Sequence, residues 1–290
     1  MASETGLRNR PIRLVSLLLG ILFVCTCSSA PKADEEVYSL RKRAETQLDE
    51  GNKEADRGNY ESALIIINEA RRIAVSADDP SLRIRTGLSR GNVLFTLGQA
   101  EEAAAAWENA LAEAEQLGNP ELTAVSRVHQ ARGRLLSPGG AASAQAIREE
   151  VNGEMAAITD SLYAAFAHMV SGLAEKELGR YAEAEAALGL SVAIHEKERN
   201  LEKAAYDWYL IASFRSLAGN YNGARQALET AMTLDRRVEN SYGLATDWRA
   251  LGDILKKAGQ VEEARHAYLR SAEIFRALGQ DEEAAATENR

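Results

Sequence analysis

The chain has 290 residues, of which 46% are hydrophobic, and it carries 34 Lys and Arg against 43 Asp and Glu, a formal charge of −9. That acidic balance, with no basic tract, excludes a nucleic-acid binder that works by neutralising phosphates, because such binding needs clustered Lys and Arg. Alanine dominates the apolar set, Pro is rare at 5 and aromatics are 6%, so strong helix formers prevail, β-branched runs are nearly absent and an all-α fold follows.

The N-terminus is a separate object. Arg8, Arg10 and Arg13 precede an apolar run from Leu14 to Val24. The run is shorter than the roughly 20 apolar residues a membrane-spanning helix needs, and a basic stretch followed by a short apolar one is the pattern of a secretory signal. Both cysteines, Cys25 and Cys27, stand at its end. The segment Leu22-Phe23-Val24-Cys25-Thr26-Cys27-Ser28-Ser29 resembles a bacterial lipoprotein signal, in which a cysteine becomes diacylated and is the first mature residue. Cys27 fits better than Cys25, because Thr26 before it is small and Val24 is branched. The resemblance implies a palmitate-type anchor on Cys27 and, from Ser28 after it, placement on the outer membrane facing the periplasm. An ordinary signal peptide cut near Ala30 and an uncleaved anchor are the other readings. No cysteine follows Cys27, so disulfides cannot hold the fold and packing must. Residues 1–26 are therefore expected to be the signal peptide, 27–34 a polar tether, and 35–290 a helical domain.

That domain is repetitive. Gly58, Gly98, Gly139, Gly179, Gly219 and Gly259 each open a turn, and successive ones lie 40 or 41 residues apart. A fixed period of this size means one supersecondary unit stacked repeatedly. Each unit reads as a helix, the glycine turn, and a second helix with Ala and a larger apolar residue four positions on: Ala103 and Trp107, Ala184 and Leu188, Ala224 and Leu228, Ala264 and Tyr268. A spacing of four puts both on one helix face. Glycines at 51, 91, 133 and 172 recur within the first helices. The third unit is degenerate, with a longer turn at Ser137-Pro138-Gly139-Gly140 and a second helix expected at about residues 142–151. The polar stretch 282–290 reads as a capping helix.

These residues resemble the tetratricopeptide repeat (TPR). Trp248, Leu251 and Gly252, then Ala264 and Tyr268, follow its spacing, with Leu255 where the family has tyrosine; Trp208, Ile211 and Ala212, then Ala224 and Leu228, repeat it. The usual period is 34, so the 40-residue unit has longer helices, as in kinesin light chains and bacterial peptide-sensing regulators. The resemblance implies a right-handed α-solenoid of about six helix-turn-helix units with first helices on the concave face. On that basis the partner-binding groove is expected to include Arg85 and Asn92, Arg127 and Arg134, Phe166 and Met169, Tyr206 and Tyr209, and Arg249, a set suited to a protein or peptide segment with an acidic end.

No phosphate loop, dinucleotide fingerprint or zinc helix motif is present: His195-Glu196 lacks the second histidine. His129, His168, His195 and His266 are scattered over different units, and no thiol nucleophile exists beyond Cys27. Neither a catalytic site, a cofactor nor a metal is expected. The sequence thus points to a membrane-anchored TPR lipoprotein, an interaction scaffold of the bacterial cell envelope. The alternatives are an accessory component of a periplasmic solute transporter and a carrier of a small hydrophobic ligand held by Phe166, Met169, Leu173 and Tyr209.

Overall fold

The computed structural model describes residues 33–290; the leader, Cys25 and Cys27 lie outside them. The described residues form thirteen α-helices and no strand. Successive hairpins are α1 (Ala33–Asp56) with α2 (Tyr60–Ser76), α3 (Pro80–Thr96) with α4 (Ala100–Leu117), and α5 (Pro120–Leu136) with α6 (Ala144–Glu154). Then come α7 (Ser161–Glu177) with α8 (Tyr181–Lys197), α9 (Leu201–Leu217) with α10 (Tyr221–Arg237), and α11 (Ser241–Lys257) with α12 (Val261–Ala277). The short α13 (Asp281–Glu288) packs on α12 as a cap. Each helix packs on the one before and the one after it. The result is an α-solenoid of six units plus a cap, as the repeat count predicts.

The turns explain the period. At the end of α3, Gly98 N–H donates to Phe95 O at 3.0 Å and Gln99 N–H to Leu94 O at 2.9 Å. This pair of bonds satisfies carbonyls that a helix end otherwise leaves free. The same pair closes every junction from α1 onward except the two flanking α6. The residue that ends the motif also starts the next helix; Asp79, Asn119, Asn200, Asn220 and Asn240 there accept a backbone N–H on their side-chain oxygen. Helices of 17 residues joined by three-residue links make about 20 residues per helix and 40 per hairpin. The left-handed position within the link is filled by Gly98 at φ +75° but also by Asp78, Arg199 and Glu239 at φ +49°, +58° and +56°. Glycine therefore marks only some of the turns.

Inside each hairpin, the larger residue of the second helix covers a small residue of the first. Trp107 is 3% exposed, and a Cβ on Gly91 would overlap its indole. Tyr268 stands in the same way over Gly252, and Ile67 over Gly51. The third unit departs from expectation. The small residue at the twelfth position of α5, equivalent to Gly91 in α3 and Gly172 in α7, is Ala131, which is fully buried. Gly133 has a different job: it makes room for the far edge of Trp107 reaching over from α4. Its second helix begins with a 3₁₀ turn at Gly140–Ser143 and runs on as α6 to Glu154. Ile147 and Val151, one turn apart and both buried, keep its core face. Where the usual link is missing before α7, Glu121 substitutes. Its carboxylate accepts from Thr159 N–H and Asp160 N–H, each at 2.6 Å, and from Thr159 Oγ at 2.8 Å. These bonds outweigh the effect of burial and hold its carboxyl below the usual range.

From α3 onward, the seventh residue of each first helix is buried at the seam with the preceding unit: Thr86, Ser126, Ala167, Asp207, Asp247 and, in the cap, Thr287. At Asp207 the carboxylate takes Ser191 Oγ at 2.6 Å and His195 Nδ1 at 2.8 Å. One unit on, Asp247 instead faces Asp235, which accepts from Asn240 Nδ2 at 3.0 Å. Asp247 Oδ2 is sealed from solvent and has no hydrogen-bond partner among the described residues. Burial pushes both carboxyls up, Asp235 to about 6 and Asp247 to about 9. The folded seam thus keeps protons that the unfolded chain has lost above about pH 4, and its stability falls as pH rises through these values. Asp247→Asn is expected to flatten the fall in thermal midpoint between pH 5 and 9. It should raise the midpoint at pH 8 by a few degrees, on the order of 1 kcal/mol, as read by circular dichroism.

Candidate functional site: the inner wall of the solenoid

First helices touch one another along the stack, α1 with α3, α3 with α5, α5 with α7 and α9 with α11, whereas consecutive second helices share no comparable packing. The first helices therefore line the shorter, concave side. Along them the inner wall is made by the sixth, ninth and thirteenth positions. These carry Arg85, Phe166 and Tyr206; Leu88, Met169, Tyr209 and Arg249; and Asn92, Arg132 and Asp253.

Arg85, Asn92, Phe166, Met169, Tyr206, Tyr209 and Arg249 of the expected groove share this register. Asn92 Oδ1 lies 3.0 Å from His129 Nδ1, and the His129 ring stacks on Phe166 with centroids 4.2 Å apart. Burial, helped by the Arg132 charge, pushes His129 down to about 3, so it is a neutral ring. Met169 is buried in the core that joins the middle units, and Arg249 pairs with Glu283 of the cap and stacks over Phe275. Tyr206 and Tyr209 stack with centroids 6.1 Å apart; Tyr206 is 45% exposed, and burial pushes the Tyr209 phenol up.

Arg127 and Arg134 stand apart from this register. Arg127 pairs with Glu115 of α4 and Glu154 of α6, both at 3.1 Å, and Arg134 pairs with Glu150 of α6. Both point to the second helices, away from the concave wall. The expectation phased α5 on Gly133 when its small residue is Ala131, and two residues are about 200° of helix rotation, which selects the opposite face. The inner cation of α5 is Arg132. It forms no ion pair among the described residues, its Nε has no partner, and its charge acts on His129 and Lys203. Sequence reasoning also missed Tyr163 of α7, which meets Arg85, and Lys203 of α9.

Lys203 and Tyr242 receive the opposite end of the chain. Lys203 Nζ donates to Asp56 Oδ1 at 2.5 Å, and the Tyr60 and Tyr242 rings meet edge to face with centroids 6.2 Å apart. Burial alone would push the Lys203 amine down; the Asp56 carboxylate reverses this and raises it. The superhelix thus turns back until the tip of its first hairpin rests on the fifth and sixth units.

Two concavities of about 430 Å³ are present elsewhere, one beside Lys42 and Gln47 on α1 and one between α11 and α12 beneath Trp248 and His266. Neither is lined by Phe166, Met169, Leu173 or Tyr209. Among the described residues no three His, Cys, Asp or Glu side chains converge as a metal site, and no helix is long and apolar enough to cross a membrane.

The architecture and its inner wall define an α-solenoid of two-helix repeats. More specifically, residues 204–277 match the family model described as tetratricopeptide repeat. The matched stretch holds the two units with Trp208 and Trp248; Gly87, Arg127 and His168 replace tryptophan at that position in the units before them. Among solved structures the chain is similar to a Rap protein complexed with competence and sporulation factor, at 17% identity over 89% of this chain and 77% of that one, TM-score 0.59. It is also similar to the Rap conjugation gene regulator of plasmid pLS20 in complex with the Phr* peptide, at 15% identity over 85% and 70%, TM-score 0.59. A third is BtubC (BKLC) from P. vanneervenii, at 15% identity over 81% and 92%, TM-score 0.54. No curated protein matches the sequence.

Proposed function

We propose that this protein is a non-enzymatic interaction scaffold of the bacterial cell envelope. In this reading Cys27 carries the lipid anchor and the concave wall holds a peptide segment of a partner protein. The observation that carries the reading is the stacked Tyr206–Tyr209 pair, a half-open aromatic platform on the inner wall. Rigid aromatics exposed in a concavity are characteristic anchors of protein interfaces. Arg132, which forms no ion pair among the described residues and whose charge reaches His129 and Lys203, supplies positive charge in a chain whose net charge is −9, which suits an acidic partner segment. Two of the similar structures are complexes, one with competence and sporulation factor and one with the Phr* peptide, which supports the same use here. Anchoring would act by tethering, raising the partner's effective concentration near the membrane. An accessory role in a periplasmic solute transporter is one such partnership.

Two measurements check it. A photo-crosslinking residue at position 206 is expected to trap one discrete partner in intact cells, and the same residue at position 134, on the outer face, is expected to trap none. Tyr206→Ala with Tyr209→Ala should then lower that partner's affinity at least tenfold with helical circular dichroism unchanged. Equal trapping at both positions, or unchanged affinity, removes the concave wall as the binding surface. For the anchor, Cys27→Ser is expected to abolish palmitate incorporation; continued labelling would assign the lipid to Cys25.

A further inference from the structure

The contact between the two ends of the superhelix stands apart from every other. Asp56–Lys203 and Tyr60–Tyr242 span 147 and 182 residues, while no other side-chain hydrogen bond among the described residues spans more than 42. The contact is small and specific. It consists of one ion pair, in which the Lys203 side chain is 42% exposed, and one edge-to-face aromatic pair whose hydroxyls are 3.4 Å apart. Each is a minor contribution beside a packed helix interface. The backbone is fitted to it as well. A Cβ on Gly58 would overlap the Tyr242 ring, whereas Gly98, Gly179, Gly219 and Gly259, at the same place in the other hairpins, have open space around them. The tip also lies within electrostatic reach of the aromatic platform: burial pushes the Tyr60 phenol up, and Tyr242, Tyr206 and Asp56 act in the same direction.

We propose that the tip of the first hairpin is a resident occupant of the inner wall at α9 and α11, and that a partner segment enters there by displacing it. The segment would present a carboxylate to Lys203 and an aromatic ring to Tyr242, the two groups that Asp56 and Tyr60 supply from four residues apart. This rests on the concave wall being the binding surface, and it adds a gate and a recognition rule. The gate stands next to the Tyr206–Tyr209 pair, so the closed form leaves Tyr206 half-open but withholds Lys203 and Tyr242 from a partner until the hairpin leaves.

The gate is read on the full chain without any partner, by solution scattering and amide hydrogen exchange. Lys203→Met with Tyr242→Ala changes the receiving wall and no residue of the tip, and it also removes the edge-to-face contact of Tyr242 with Phe275. It is expected to raise the radius of gyration and to speed exchange at residues 56–60 at least tenfold, with helical content retained. Gly58→Ala is expected to do the same, and Gly98→Ala, which bears the same left-handed strain without a neighbour, is not. The recognition rule is read with a labelled synthetic peptide copying residues 52–64. Gly58→Ala, whose own tip is dislodged, should bind it at least tenfold more tightly than the parent chain, and Lys203→Met with Tyr242→Ala should not bind it. Unchanged scattering and exchange in the receiving-wall variant, or Gly58→Ala behaving like Gly98→Ala, overturns the gate; equal peptide affinity in all three proteins overturns displacement. Loss of the gate with Tyr206 and Tyr209 still required for partner binding would leave the proposed function standing. An intact gate with those tyrosines dispensable would remove the function alone.

Discussion

Trp107→Ala is expected to destabilise the second and third units by about 3–5 kcal/mol, the range for emptying a buried aromatic site. The indole is 3% exposed and tilts against Phe95 at 5.7 Å. It donates from Nε1 to Leu88 O at 3.3 Å and lies between glycines of two successive first helices, Gly91 and Gly133. Truncation removes the packing of both seams at once, and neither glycine can fill the space. Because stacked repeats unfold by neighbouring units, the measurement is amide exchange resolved along the chain. Rates in α3–α5 should rise more than a hundredfold, since each 1.4 kcal/mol is a factor of ten, while α11 and α12 keep theirs. A uniform rise would show that the solenoid unfolds as one body. A converse variant isolates the cause: Gly91→Ala should be harmful with Trp107 present and nearly harmless when Trp107 is already leucine.

Asp207→Ala is expected to cost about 3 kcal/mol, because it leaves two buried polar partners without an acceptor. Asp207 is 1% exposed and is the common partner of Ser191 and His195, which both stand on α8. It therefore fastens the fourth unit to the fifth. Asp207→Asn keeps the shape and one acceptor and should cost clearly less. The check is denaturant unfolding followed by circular dichroism, with exchange locating the loss at α8–α9. A cost for Asp207→Ala no larger than for Asp207→Asn would mean that packing, and not the buried network, holds that seam.

What could be read from the residues was whatever repeats. Glycine turns, the Ala and large-residue pairs and the length of the unit specify the hairpins, because each reports a local requirement: a left-handed residue, a close approach, an integral number of turns. The number of units and the cap followed from these. Facing was legible only where the phase was right. Phe166, Tyr206 and Tyr209 stand six, six and three residues before Gly172 and Ala212, the close-approach positions of α7 and α9. Arg127 and Arg134 take from Gly133 the spacing that Arg85 and Asn92 have from Gly91, but alanine, not glycine, fills the close-approach position of α5, and they pair instead with Glu115, Glu154 and Glu150. The correct anchor was visible as Ala131, 40 residues after Gly91. The seam at Asp235 and Asp247 was not legible, because a buried acid pair looks like any two surface carboxylates until the helices are stacked. Nor was the meeting of Asp56 with Lys203, which depends on the summed curvature of the intervening units and on no local signal.

That curvature has a consequence for copy number. Junctions built on the common three-residue link are interchangeable, so away from α6 a duplicated or deleted 40-residue block would splice in without a mismatch. The meeting of Tyr60 with Tyr242 has no such tolerance: one block more or fewer would bring a different pair of helices opposite the first hairpin. The closing contact thus acts as a ruler for the array. It would select for six units in a chain whose linkers, taken alone, are indifferent to the count.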